Sequence, residues 1–453
     1  MTLPPGPAMP PWLQTLALLL APERFLGAAH ERHGDVFTVR TAAFGTFVVV
    51  AGPDAVREVF TGPPAVLRAG ESNAPLSVLV GERSVLVLDG PEHLRQRKLL
   101  LPPFHGDRLR GAERLIERAT RRELEGWPVG RGFPVLPSMQ AITLEVIVRV
   151  VFGVRGLARF EELSARLRKV LEPMGGRLRA VLSILAGDGF DGGPDAVRFA
   201  ARRAAVDELL YDEIAQRRRA PDLAERADVL SMLLLATDED GRGMTDTEVR
   251  DELVTILLAG HETTATALAW TFERLVHNPG VLRELRRELD AGGHEYLDAV
   301  IKESLRARPV LPNVGRVLAE EHELFGYVLP AGTGVLPSIT LLHRREASFP
   351  DAGAFRPERF LGAGPSGYAW IPFGGGIRRC LGASFALLEM RVVVQTVLAE
   401  LDLTAARRAG ETVVRRGITL TPSEGGRVVA RERTAAAHAP RGVPAPVPRG
   451  VGH

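Results

Sequence analysis

Apolar positions recur along most of this chain at three- and four-residue spacing, the period of an amphipathic helix. Leu109 to Leu124 and Ser138 to Phe152 carry that spacing, and further helices are expected after Pro91 and over Leu297 to Arg308. The longest is expected from Thr245 to about His277. Thr245-Asp246-Thr247-Glu248 reads as a capping box, and Asn278-Pro279 reads as a stop. At ~1.5 Å per residue that helix would run roughly 48 Å, enough to cross a domain. A last helix should follow Gly382 and reach about Leu401. Strand signals are fewer. Thr38–Arg40 and Phe47–Val50, around Gly45, predict a hairpin, and Gly52-Pro53-Asp54 should start a helix through Phe60. From Arg316 to about Ile339, β-type segments alternate with turns. Gly62 to Gly81 and Pro350 to Tyr368 read as irregular, Gly187 to Gly193 as a flexible break, and the proline-rich arm Pro4 to Pro11 as extended.

The apolar run Trp12 to Ala21 is about half the length of a membrane span. It also lacks the charged leader and cleavage site of a signal peptide, so a surface or core helix is expected there. No repeat and no shift in composition marks a second globular unit. The fold class is therefore mainly α with a small β-rich lobe, in one large domain over residues 1–434. A Pro-, Gly-, Arg- and Ala-rich tail, 435–453, should be disordered.

Composition narrows the function. The chain has 453 residues, 45% hydrophobic and 25% charged, values of an ordinary globular protein. Its 57 basic and 55 acidic residues leave a net charge of +2, too small for a dedicated nucleic-acid binder. Only Lys98, Lys169 and Lys302 are lysines; the other 54 basic residues are Arg, which we read as codon bias. A single cysteine, Cys380, excludes an intramolecular disulfide framework and any multi-cysteine zinc or iron–sulfur site. It fits a reducing, cytoplasmic setting.

The segment Phe373-Gly374-Gly375-Gly376-Ile377-Arg378-Arg379-Cys380-Leu381-Gly382 surrounds that cysteine. Three glycines permit a backbone path that other residues resist, and a close approach to something flat. Cys380 stands at a helix entry, where free N–H groups and two arginines favour thiolate. A thiolate so placed is a nucleophile or a metal ligand. No histidine lies in the segment to act as the nucleophile's base. A metal held by one cysteine needs its other positions filled, and haem fills four of them.

The spacing of Phe373, Gly376, Arg378, Cys380 and Gly382 matches the haem-binding signature of the cytochrome P-450 family, which the chain resembles over roughly residues 4 to 433. Other segments fall in the family's order. Ala259-Gly260-His261-Glu262-Thr263-Thr264 resembles the oxygen-activation motif. There, small Ala259 and Gly260 would leave room beside a cofactor face, and Glu262 and Thr263 would be the catalytic pair that delivers protons. A zinc reading of His261-Glu262 fails, because position 265 is Ala. Glu303-Ser304-Leu305-Arg306 and Arg359 resemble the family's buried Glu–Arg–Arg network, a structural feature. His93 and Arg97, four apart on one helix face, resemble the residues that meet the haem propionates, with Arg316 and Arg378 as further cations. Phe373, Gly374, Ala259, Gly260 and Gly382 complete the expected cofactor cradle, with Cys380 as the metal ligand.

The resemblance implies haem b (iron protoporphyrin IX) as cofactor and a monooxygenase activity. One atom of O2 would enter an apolar small molecule of fatty-acid, terpenoid or polyketide type, as in secondary metabolism. Only 73 residues follow Cys380, too few for a fused flavin reductase. Electrons should therefore come from a separate ferredoxin or flavodoxin with its NAD(P)H reductase. Arg379, Arg95 and Lys98 would present a basic patch to it. A monomer without an integral membrane span is expected. Loops about 70–85 and 172–193 should line or gate the pocket and move. Three alternatives stay open: a peroxide-driven hydroxylase, a haem-thiolate isomerase and a non-catalytic haem sensor. The Glu262-Thr263 pair argues against the first two.

Overall fold

A computed structural model describes residues 3–104, 108–153, 165, 194–365 and 367–433. Its spine is the helix Asp246–His277. The Thr245 hydroxyl accepts from the Glu248 N–H at 3.2 Å, and the Glu248 carboxylate accepts from the Thr245 N–H at 2.7 Å. This reciprocal cap satisfies two of the orphan donors of the first turn. Helices Leu136–Phe152, Pro194–Arg218, Glu295–Ala307 and Ala383–Glu400 pack around the spine. One core cluster joins Ile142, Val146, Leu268, Phe272, Val300 and Val393; a second joins Ile147, Val151, Leu210, Ile214, Leu253 and Leu257. Each such side chain contributes about 1.5–3 kcal/mol on burial, so the spine is held from several sides at once.

The β part is small, and it sits at the rim of the helical body. Strands Val36–Thr41 and Gly45–Val50 pair antiparallel, with Val39 opposite Phe47. Gly45–Val50 then runs parallel to Gly334–Pro337, and Arg316–Leu318 and Leu67–Arg68 complete five strands. A three-stranded sheet joins Gly132–Pro134, Arg427–Glu432 and Leu401–Ala405. The mainly α architecture with a small β lobe is as the sequence predicts.

Three local expectations change. Gly62 to Gly81 is not simply loop: it holds the strand Leu67–Arg68 and short helices Ala69–Asn73 and Ser77–Val80. Asn278-Pro279 ends one helix and starts another, Pro279–Asp290, since proline suits a first turn where its missing N–H costs nothing. The sheet built from residues 401–432 carries no strong alternation and was not anticipated. The expected break 187–193, the whole of the second expected loop, 172–193, and the tail 435–453 lie outside the described residues.

Candidate active site

The Cys loop packs against helix Pro53–Thr61. Gly374 and Gly376 both have positive φ, +66° and +62°. A Cβ on Gly375 would overlap the Phe60 ring, and one on Gly376 would overlap the Phe60 carbonyl. The flat group that Gly375 approaches closely is thus the Phe60 ring of this chain. The loop closes with the Cys380 N–H donating to the Phe373 carbonyl at 3.0 Å, just before helix Ala383–Glu400.

Cys380 keeps exposed surface although protein atoms crowd its sulfur. Burial pushes its thiol up from the ordinary value. The Gly382 N–H and the charges of Arg97 and Arg379 pull the other way. The helix-entry geometry therefore opposes burial and does not outweigh it. Arg378 does not act on the thiol as the sequence led us to expect. Its guanidinium donates to Asp89 at 2.5 Å, to the Val85 carbonyl at 3.0 Å and to the Leu88 carbonyl.

Around this loop stand the expected cations. Arg97 donates to the Arg379 carbonyl, next to Cys380, at 2.8 Å. His93 is buried, and its pKa is pushed down to about 4, first by burial, then by Arg378 and Arg97, with Arg316 adding to them against Asp89. Arg316 is itself buried and lies over the Phe60 ring, 5.5 Å from its centroid. It donates to the neighbouring Gly315 carbonyl at 2.7 Å, and burial together with Arg378 lowers its pKa to about 10. Among the described residues neither Arg316 nor Arg97 has a carboxylate at ion-pair distance. A buried guanidinium without a counter-charge is costly, and Arg316, Arg97 and His93 together fit a doubly anionic partner such as the two propionates of haem.

In the middle of the spine Ala259 is exposed, and Ile256, Leu258, Gly260, Glu262 and Thr263 are half-buried. The Thr263 hydroxyl donates to the Ala259 carbonyl at 2.5 Å. Gly260 departs from expectation. A Cβ there would lie 3.0 Å from Cδ1 of Ile147, so its small size serves the packing of helix Leu136–Phe152. The same helix supplies a residue that sequence reasoning missed: the Gln140 side-chain amide donates to Glu262 at 2.7 Å. His261 is buried on that side too, 2.9 Å from the Thr143 hydroxyl.

Glu303 and Arg306 are fully buried and bonded bidentately at 2.7 and 2.8 Å. Arg306 also donates to the His343 and Ala354 carbonyls, and the Arg356 N–H donates to Glu303. Arg359 meets Glu303 less closely than Arg306 does. Its Nε lies 3.6 Å from Glu303, while its terminal nitrogens donate to the Pro350 and Asp351 carbonyls. The network pins residues 350–359 through carbonyls as much as through charge.

Two further expectations are corrected. Arg95 and Lys98 are not free cations: Arg95 pairs with Asp238 and Glu248, and Lys98 with Glu239. Of that patch only Arg379 is exposed without a carboxylate partner among the described residues. Residues 83–85 are anchored, not loose. The Arg83 and Val85 N–H groups donate to Asp251 and Glu252, and Ser84 meets Thr255 at 2.7 Å.

A glycine-rich loop that carries the single cysteine, with cations around it that have no carboxylate partner among the described residues, is the arrangement of a haem-thiolate protein. The sequence profile of cytochrome P-450 matches residues 4–428, and the chain belongs to that family, whose members are typically monooxygenases. It is 43% identical over 437 residues to the presumed cytochrome P-450 135B1 of Mycobacterium tuberculosis, covering 95% of this chain and 92% of that protein. It is 42% identical, again over 437 residues, to the presumed cytochrome P-450 138 of the same organism, covering 95% and 97%. Retinoic acid bound cyanobacterial CYP120A1 superimposes with a TM-score of 0.83 at 25% identity, covering 96% of this chain and 100% of that one. No helix among the described residues is long and apolar enough to cross a membrane.

Proposed function

We propose that this protein is a monooxygenase that binds haem b through Cys380 and inserts one atom of O2 into an apolar small molecule. The observation that carries the reading is the buried Arg316, without a carboxylate partner among the described residues, beside His93, Arg97 and the Cys380 loop. When bound, haem supplies the activation of dioxygen, with the thiolate as electron-donating ligand. Arg97, Arg316 and Arg378 hold the propionates, and His93 contributes a neutral ring donor. For Arg378 this requires sharing with Asp89. Phe373, Gly374 and Gly382 frame the sulfur, and Ala259 presents only a methyl group to the cofactor face. Thr263 holds water with its hydroxyl oxygen, and Glu262, oriented by Gln140, passes protons toward it.

Electrons come from a separate ferredoxin or flavodoxin and its NAD(P)H reductase, with Arg379 part of the docking face. Fatty acids, terpenoids and polyketides fit the apolar requirement; retinoic acid, bound by the cyanobacterial relative, belongs to the terpenoid class. We read the protein as a cytoplasmic monomer of secondary metabolism, with its catalytic domain over residues 1–434. The test is optical first. Reduced protein with carbon monoxide should show the red-shifted Soret band of thiolate ligation, and Cys380→Ala should abolish it; an unchanged variant spectrum overturns the assignment. Product formation driven by reductase and NAD(P)H then establishes the monooxygenase, whereas product from peroxide alone favours the peroxide-driven alternative. Ligand-induced optical shifts across a compound panel identify the substrate class.

A further inference from the structure

Asp89 stands where an acid commonly caps a helix, at the residue before helix Gly90–Leu100, yet its side chain makes no hydrogen bond to that helix. It reaches back along the chain instead. Its carboxylate accepts from the N–H groups of Ala69, Gly70 and Glu71 at 3.1, 2.9 and 2.9 Å, the first turn of helix Ala69–Asn73. Gly70 permits that approach: a Cβ there would lie 2.7 Å from the Asp89 carboxylate and closer still to the Val87 and Leu88 carbonyls. The Arg378 guanidinium completes the set at 2.5 Å.

The three N–H groups do not call for a charge. Asn and Ser satisfy the start of a helix about as well as Asp does. The reason for a charge lies on the other side. Phe60, Asp89, His93, Arg316 and Arg378 line one cleft, and Asp89 is the only carboxylate in its wall among the described residues. Burial lowers the pKa of His93, Arg316 and Arg378, and at each of them Asp89 acts against that trend. The cleft that would take two propionates thus already holds an anion. Counting charges resolves the conflict. Arg97, Arg316 and Arg378 are three cations, and His93 is neutral. Two propionates balance two of the cations, and Asp89 balances the third. A surplus charge left in a partly buried site would be costly.

We propose that Asp89 is a positioning residue of the haem site: it fixes Arg378 beside the propionates, balances the charge they leave over, and holds the reduction potential of the iron down. This role rests on haem binding through Cys380 as proposed above. Reduction places one electron, delivered by the ferredoxin or flavodoxin, on the ferric haem, and a fixed carboxylate nearby opposes the added negative charge. In a site of low dielectric, removing one unit charge is worth roughly tenfold in that equilibrium, about 59 mV for a one-electron couple. The same carboxylate repels the propionates, so its removal should also tighten the hold on haem.

The test is a potentiometric titration of the full-length, haem-loaded protein with mediator dyes. Asp89→Asn and Asp89→Ser keep an acceptor for the three N–H groups and remove the charge. Both should raise the potential by about 59 mV, tenfold in the ferric–ferrous equilibrium, and both should lose haem to excess apomyoglobin more slowly than wild type. Asp89→Glu keeps the charge and should keep the potential. Arg378→Gln should move both readouts the other way, and Asp89→Asn added to it should bring the potential back toward wild type. A residue that only tied down helix Ala69–Asn73 would behave differently: the neutral variants would release haem faster and leave the potential unmoved. Either of those results overturns the proposal, as does a potential in Asp89→Glu that rises with the neutral variants. A wild type without the red-shifted Soret band in carbon monoxide overturns the haem-thiolate reading and this role with it. A normal band with an unmoved potential overturns this role alone.

Discussion

The side-chain amide of Gln140, on helix Leu136–Phe152, donates to the Glu262 carboxylate on the spine at 2.7 Å. The bond joins residues 122 apart and holds the acid of the proposed proton path on the side of the neighbouring helix. Glu262→Gln removes the proton carrier and should lower product formation by roughly 10²-fold, the low end for acid–base groups. Gln140→Leu keeps the carboxylate and frees it, so its cost should be smaller, about tenfold at most. Product per NAD(P)H consumed, at equal haem content, measures both; equal losses would remove the positioning role of Gln140.

Thr263 differs from its neighbour because its hydroxyl is already committed as a donor to Ala259, at 2.5 Å. Its oxygen lone pairs remain to accept from water. Thr263→Ala should keep haem and substrate binding, and O2 and NAD(P)H consumption should continue. More of the flux should end as peroxide, assayed beside the product. A product-to-NAD(P)H ratio like wild type would take Thr263 out of the mechanism.

Glu303 is fully buried and meets Arg306, the Arg356 N–H and the charge of Arg359. Glu303→Ala leaves Arg306 as an uncompensated buried cation, at a cost of about 3–5 kcal/mol. Arg359→Ala should cost less, about 1–3 kcal/mol, because what it loses is mainly donors to two carbonyls. Urea unfolding and the yield of soluble protein check the order; Arg359→Ala as damaging as Glu303→Ala contradicts it.

His343 accepts a hydrogen bond from the Ile371 N–H at 2.9 Å, which its protonation would break. Burial, and then Arg306, push its pKa from 6.5 down to about 3. Between those values the unfolded chain binds a proton that the folded chain refuses. Its contribution to stability is therefore complete above about pH 6.5 and falls as pH drops, by about 2 kcal/mol at about pH 5. Urea unfolding across this range should show the decline, and His343→Gln should flatten that part of it. The same slope in the variant would assign it to other groups.

What the sequence by itself determined is local or carried by fixed spacing. The reciprocal cap of Thr245 and Glu248 is complete within four residues, so the start of the spine is legible without any tertiary context. The loop from Phe373 to Gly382 is likewise a short run whose glycines and cysteine are chemically unusual together. Packing decided the rest, because each remaining partner comes from a distant segment. Arg378 reaches the loop 85–89 some 290 residues away, and Arg95 and Lys98 find Asp238, Glu248 and Glu239 across the domain. No periodicity in either segment encodes those pairings. Gly375 and Gly376 are small because of Phe60, and Gly260 because of Ile147. Helix Pro11–Leu20 shows the limit most directly. Its apolar residues look like a core stripe, yet the element beneath it is a strand edge whose N–H groups need oxygen acceptors, and that need turns Gln14 and Thr15 inward.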